Sequence, residues 1–155
     1  MIWQESEGEQ YAYNPEPRYS WLWDCKKHTP FRKTTKAENL SMFPPKDFPS
    51  VKGDPDNEWW AQKASWGLMQ VMGAVARERG FKGLYIPNIV EPTLNIKYGV
   101  EHLWIYALRS GKLSLNEGLL NYNGGGDEQY PDKILTKRDI IEDAWQGIGT
   151  GRNLL

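Results

Sequence analysis

Three short segments carry side chains whose types and spacing suit proton-transfer chemistry. The first is Ile2-Trp3-Gln4-Glu5-Ser6, a carboxylate followed by a hydroxyl. It reads as a short helix on which Ile2 and Trp3, and Met1 one turn back, give Glu5 apolar neighbours. A glutamic acid donates a proton near neutral pH only where an apolar, desolvated setting raises its pKa, so Glu5 is a candidate general acid. The second is Gly67-Leu68-Met69-Gln70-Val71-Met72, an amide side chain set beside two thioethers. The third is Tyr122-Asn123-Gly124-Gly125-Gly126, a phenol and an amide running into glycines that permit positive φ and leave room for a ligand near the backbone.

The elements that would position these groups are helical. Ser65 is the expected N-cap of a helix whose apolar face is Leu68, Val71, Met72 and Val75, with Gly80 ending it. Pro92 suits the first turn of a second helix, with Ile96, Gly99, Val100, Leu103 and Ala107 along one face and Gly111 after its end. Gly99 lowers helix propensity by roughly 1 kcal/mol, which predicts the close approach of another backbone. Ser114-Leu-Asn-Glu117 is a capping box opening a third helix. Pro131 opens a fourth, with Ile134, Leu135, Ile141 and Trp145 as expected buried positions. The class is all-α, with a small hairpin allowed inside a long irregular stretch at 16–64. That stretch holds six of the ten prolines and a basic cluster from Lys26 to Lys36, and Tyr19–Trp23 and Asn57–Lys63 are each expected to form a short helix.

Composition narrows the function. The 155 residues fit a single domain able to bury a core without crosslinks. Nineteen basic against twenty acidic residues give a net charge of -1, which argues against a nucleic-acid partner. One cysteine excludes an internal disulfide framework, and His28 and His102 lack a metal-ligand pattern, so no metal or other cofactor is expected. No run approaches a membrane span, and Glu5, Glu7 and Glu9 stand where a signal peptide would be apolar, so no membrane insertion and no export signal is expected. Eight tryptophans are many for this length. Trp21, Trp23, Trp59 and Trp60 fall in the polar, proline-rich stretch, where they serve either as flat platforms for sugar rings or as a satellite cluster holding the loop down.

Taken in order, the motifs resemble those of the lytic transglycosylases with the soluble-transglycosylase, lysozyme-like domain. The resemblance rests on Ile2…Glu5-Ser6, Gly67-Leu68-Met69-Gln70, Asn95…Gly99, Tyr122-Asn123…Gly125 and Tyr130-Pro131. It covers residues 1–15 and 65 to about 140, leaving 16–64 as an insertion within one catalytic domain. Goose-type lysozymes share the fold and a similar Gly-Leu-Met-Gln segment. Three departures stand out. Asn14 occupies the position nine after the glutamate where the family usually has Ser. Gly73 follows Met72 where a Pro is usual. Forty-nine residues separate Pro15 from the Gly-Leu-Met-Gln region, where a few are common.

The resemblance implies Glu5 as acid and base, supported by Tyr122 and Ser6, with Gln70, Asn14 and Asn123 contacting substrate and Trp66, Met69 and Met72 lining the groove. The motif segments supply no second carboxylate. That suits a reaction in which the muramic C6 hydroxyl attacks its own C1, giving a 1,6-anhydro end on the β-1,4 MurNAc-GlcNAc bond of peptidoglycan glycan strands. Asp24, Glu38, Asp47, Asp54, Asp56 and Glu58 of the insertion are the candidates for a water-activating base, which would instead make a lysozyme-type hydrolase. A cell-wall-binding or virion module without catalysis is the remaining alternative. The expected protein is a monomer acting at the bacterial cell wall, of bacteriophage lysis or entry type or a catalytic domain of a longer chain.

Overall fold

Short helices alternate with two small sheets in the computed structural model, which describes residues 1–52, 54–107, 109, 111 and 113–149, with backbone alone at 106, 107, 148 and 149. The fold is mainly α, as expected, with seven α-helices and only small antiparallel sheets among the described residues. The chain forms two compact units. One comprises Ile2 and Gln4–His102, the other Met1, Trp3 and the described residues from Leu103 onward.

In the larger unit, α1 (Ile2–Glu5) leads to β1 (Tyr13–Pro15). The stretch at 16–64 contains a hairpin of β2 (Trp23–Asp24) and β3 (Thr29–Pro30), then α2 (Lys36–Leu40) and α3 (Pro55–Gln62). The hairpin and the helix near Asn57 follow the expectation. Tyr19–Trp23 is not helical, because Trp23 pairs with Pro30 and its backbone is further held by the Gln62 amide. Leu22, Phe48 and Trp59 form a buried cluster here, with Phe31 and Trp60 packed on it. Trp59 is therefore core, while Trp21 is exposed.

A buried ion pair ties this stretch to the helix that follows. Arg77 of α4 (Gly73–Glu78) donates through Nε and Nη2 to the two carboxylate oxygens of Glu58, at 2.8 and 2.7 Å. Its Nη1 donates to the carbonyls of Phe81 and Gly83, and Gln62 donates to Glu58. The charges are desolvated but every guanidinium nitrogen has a partner, the condition under which burial of such a pair is tolerated.

The largest correction concerns residues 65–72. Ser65 caps no helix: β4 (Ala64–Trp66) and β5 (Val71–Met72) form a hairpin, β1 pairs antiparallel with β4, and α4 begins only at Gly73. The apolar spacing of Leu68, Val71, Met72 and Val75 mimicked a helix, but β1, distant in sequence, supplies a ladder partner that local periodicity does not reveal. Positive φ at Gly67 (70°) and Gln70 (45°) turns the chain back.

A 3-10 helix (Ile86–Val90) leads into α5 (Pro92–Ala107), which opens at Pro92 as expected. Its buried stripe within this unit is Asn95, Tyr98, Gly99 and His102, while Ile96 and Val100, expected inside, are 38 % and 50 % exposed. The face is rotated because Asn95, polar but hydrogen-bonded at both its amide oxygen and its amide nitrogen, goes in at little cost. The side chain of Ala107 lies outside the described residues. Gly99 does admit a close neighbour, but a side chain: a Cβ there would lie 2.6 Å from Met69 Sδ.

In the smaller unit, α6 (Leu115–Tyr122) opens on the expected Ser114–Glu117 capping box and α7 (Tyr130–Gly149) follows. Leu119, Tyr130 and Ile134 form its cluster, with Met1, Leu103 and Tyr122 against it. Ile141 and Trp145, expected to be buried, are 55 % and 76 % exposed, because that cluster is confined to the first turns of α7.

His102 is buried, and desolvation, then the Arg79 guanidinium, push its pKa down to about 4. The folded protein keeps it neutral where the unfolded chain, near 6.5, binds a proton, so folding stability is full above that pH and falls as pH drops toward 4. Urea midpoints measured from pH 7 to 4 are expected to decline, and to decline less steeply in His102→Gln.

Candidate active site

The candidate residues of the larger unit gather around the turn between β4 and β5. Gln70 N–H donates to the Gly67 carbonyl at 3.0 Å, closing it. Asn95, in the first turn of α5 and without exposed surface, clamps it from behind. Its Oδ1 accepts from Met69 N–H and its Nδ2 donates to the Trp66 carbonyl, both at 2.7 Å. The α5 N-terminus that carries Asn95 is set by Pro92 and by the Glu91 carboxylate, which accepts from the Thr93 and Leu94 N–H groups and is held low by those bonds. A Cβ on Gly67 would lie 2.6 Å from Asn95 Nδ2, so only glycine allows both the clamp and the positive φ.

Gln70 is held as tightly. Its Oε1 accepts from Ser65 Oγ at 2.8 Å, and its Nε2 donates to the carbonyls of Gly67 (2.9 Å) and Ala12 (3.3 Å). Both amide protons are thus directed at backbone carbonyls, and one lone pair of Oε1 is left for a further donor. Ser6 joins the end of α1 to the same turn, since its Oγ donates to the Leu68 carbonyl at 2.9 Å. Glu5, the last residue of α1, is half-buried and immediately precedes this anchor.

The sheet sorts the remaining residues by face. Asn14 lies opposite Ser65, and Ser65 opposite Met72, so Asn14, Ser65 and Met72 share one face. Tyr13, Trp66 and Val71 share the other, where the Tyr13 and Trp66 rings meet in a tilted contact, their centroids 4.7 Å apart and their planes at 44°. Met69 is buried against Gly99. Trp66 Nε1 donates to the Ala61 carbonyl at 3.0 Å, which fixes the ring.

Tyr122 and Asn123 belong to the smaller unit. Tyr122 is half-buried at the last turn of α6, and Asn123 caps that helix with its N–H toward the Leu119 carbonyl at 3.2 Å. Gly124 and Gly125 take the positive φ expected of them. Sequence reasoning did not find the structural parts played by Ser65 and Asn95. Asn95 was visible as the start of Asn-x-x-x-Gly, but its partners lie in another element.

Five of the insertion's six candidate carboxylates are engaged by other groups; Asp56, in the first turn of α3, is not among them. Asp24 accepts from the Lys26 and Lys27 N–H groups, Asp54 caps α3, and Glu58 holds Arg77. Arg32 binds both Glu38 and Asp47, which holds the Glu38 carboxyl down at about 2. Burial, then the nearby Glu58, pushes the Cys25 thiol up to about 11, so it supplies no thiolate nucleophile at neutral pH. Among the described residues no cluster of His, Cys, Asp or Glu has the makings of a metal site, and no helix is long and apolar enough to cross a membrane.

The chain matches the transglycosylase SLT domain family over residues 1–139 and belongs to that family. The match spans α1, the β4–β5 turn, α5 and α6 together. It defines a lysozyme-like domain and points to lytic transglycosylases, lyases that degrade peptidoglycan. Neither the curated proteins nor the solved structures include a match to this chain.

Removing the clamp tests how far the site depends on it. Asn95→Leu removes the bonds that Asn95 makes to Met69 N–H and to the Trp66 carbonyl, at about 1–3 kcal/mol each. Thermal unfolding is expected to show that loss, and wall-lysis activity to fall further than stability alone accounts for.

Proposed function

We propose that the protein is a lytic transglycosylase that cleaves the β-1,4 bond between N-acetylmuramic acid and N-acetylglucosamine without water, working as one catalytic domain and as a monomer. The observation that carries this reading is the Glu5-Ser6 pair at the end of α1, its hydroxyl anchored on the turn that bears Gln70, in a chain of the SLT family.

Glu5 protonates the glycosidic oxygen as the C1–O4 bond breaks. The C6 hydroxyl of the same muramic residue then bonds to C1, and Glu5, now a carboxylate, takes the hydroxyl proton. The leaving chain ends in a GlcNAc 4-hydroxyl and the other in a 1,6-anhydro ring. Because the C6 hydroxyl and C1 belong to the same sugar residue, this attack has an entropic advantage over water. The 2-acetamido carbonyl assists at C1. The family resemblance gives Ser6 and Tyr122 the part of supporting Glu5. Asn14, the remaining lone pair of Gln70 and Asn123 meet the sugar's polar groups, while Met69 and Met72 form apolar wall; Trp66, expected beside them, lies on the opposite face of the sheet from Asn14 and Met72. The engagement of five of the insertion's six candidate carboxylates, Asp24, Glu38, Asp47, Asp54 and Glu58, favours this reading over a hydrolase, which needs a carboxylate to activate water and for which Asp56 is the remaining candidate.

Glu5→Gln is expected to lower turbidity clearance of purified peptidoglycan by about 10²–10⁴-fold with an unchanged melting temperature. Mass spectrometry of the parent's digest is expected to show anhydromuramoyl ends. Reducing muramic ends instead would make the protein a hydrolase, and lysis undiminished in Glu5→Gln would remove the mechanism.

A further inference from the structure

The face of the sheet turned away from Asn14 and Met72 opens on a cavity of about 410 Å³. Four aromatic residues line it: Tyr13 and Trp66 from the sheet, Trp60 from α3, and Tyr85 just before the 3-10 helix. Three of these rings are fixed by contacts of their own. Tyr13 packs at a tilt against Trp66, Trp66 donates to the Ala61 carbonyl, and Trp60 Nε1 donates to the Met42 carbonyl at 2.9 Å. Tyr85 is 55 % exposed. Lys52, Asp54, Asn57 and Glu58 supply the polar wall, all from the 16–64 stretch that interrupts the family's motifs.

The charges identify the class of ligand. Glu58 is neutralised by Arg77, and the opposite charges of Lys52 and Asp54 both line the cavity, so its wall carries no net charge that would select an ion. What it offers is flat aromatic surface with a cation, an amide and a carboxylate around it. Apolar ring faces meet the C–H side of a pyranose, and mixed donors and acceptors meet its hydroxyl and acetamido groups. The volume lies within the range of pockets that bury a small ligand.

We propose that this cavity is a second saccharide-binding site, holding an uncharged N-acetylhexosamine unit of a glycan strand on the side of the sheet opposite Asn14. The site positions a polymer and takes no part in bond cleavage. Its ligand class rests on the peptidoglycan reading above, while its location does not depend on Glu5.

The test uses Glu5→Gln protein labelled with ¹⁵N and titrated with the tetramer of β-1,4-linked N-acetylglucosamine. The indole N–H resonances of Trp60 and Trp66, assigned through Trp→Phe variants, are expected to shift, and that of Trp21 to stay. Adding Tyr85→Ala, an exposed position whose loss leaves the fold intact, is expected to weaken binding by tenfold or more. Unmoved Trp60 and Trp66 indoles, or equal affinity with Tyr85→Ala, would overturn the proposal. So would the same indoles responding to a sugar-free stem peptide and not to the tetramer. Loss of lysis in Glu5→Gln alongside an inert cavity defeats only this site. Sugar binding lost in Tyr85→Ala while Glu5→Gln still lyses walls defeats only the mechanism.

Discussion

One carboxamide holds the candidate site of the larger unit together. Asn95 meets the backbone of the β4–β5 turn with an acceptor at one end and a donor at the other, and it does so from a position with no exposed surface. A hydrophobic residue there would fill space without reading backbone polarity. A charged one would need a counter-ion. The amide alone satisfies an N–H and a carbonyl at once, and a buried pair of bonds of this kind specifies one geometry. Around it the turn's left-handed residues, the glycine at 67, the Gln70 amide and the Ser6 hydroxyl interlock, each bonded to a backbone atom of the turn or of Ala12, just before β1.

The insertion is stabilised by different means. Its small cluster of Leu22, Phe48 and Trp59 supplies burial, and the Glu58–Arg77 pair supplies direction. Lys63 contributes in a third way. Its Nζ donates to the Asn39 carbonyl and lies 4.5 Å from the Trp59 ring centroid, and burial draws its pKa down. A cation over an indole face recovers part of the hydration that burial removes. These polar bonds fix the stretch to α3 and α4, which explains how a proline-rich segment with little periodicity has a defined conformation.

Legibility in the sequence followed the range of the interactions. Helix starts set by local chemistry were readable: Pro92 and the Ser114–Glu117 box open α5 and α6 where expected. The chemistry-bearing motifs were readable because they are contiguous. The strand character of residues 64–72 was not, since its cause is pairing with Tyr13–Pro15. Nor was the inward face of α5, where polar Asn95 displaces Ile96, because hydropathy assigns a buried amide to the surface unless its partners are known. Ile141 and Trp145 mark the opposite failure, apolar residues at helical spacing with no part of their unit's core to cover them.

The pairing of β1 with β4 also bears on how this chain diversifies. Closing a flexible loop of 49 residues rather than ten costs only about 1.4 kcal/mol more, because the entropy grows with the logarithm of length. The hydrogen bonds that flank the crossing, Glu16 N–H to the Lys63 carbonyl and Gly67 N–H to the Ala12 carbonyl, sit on either side of it and do not involve what lies between. The junction therefore works as a socket. Evolution can exchange the intervening cassette, with its aromatic cavity and its charges, while the ladder that seats the turn stays as it is.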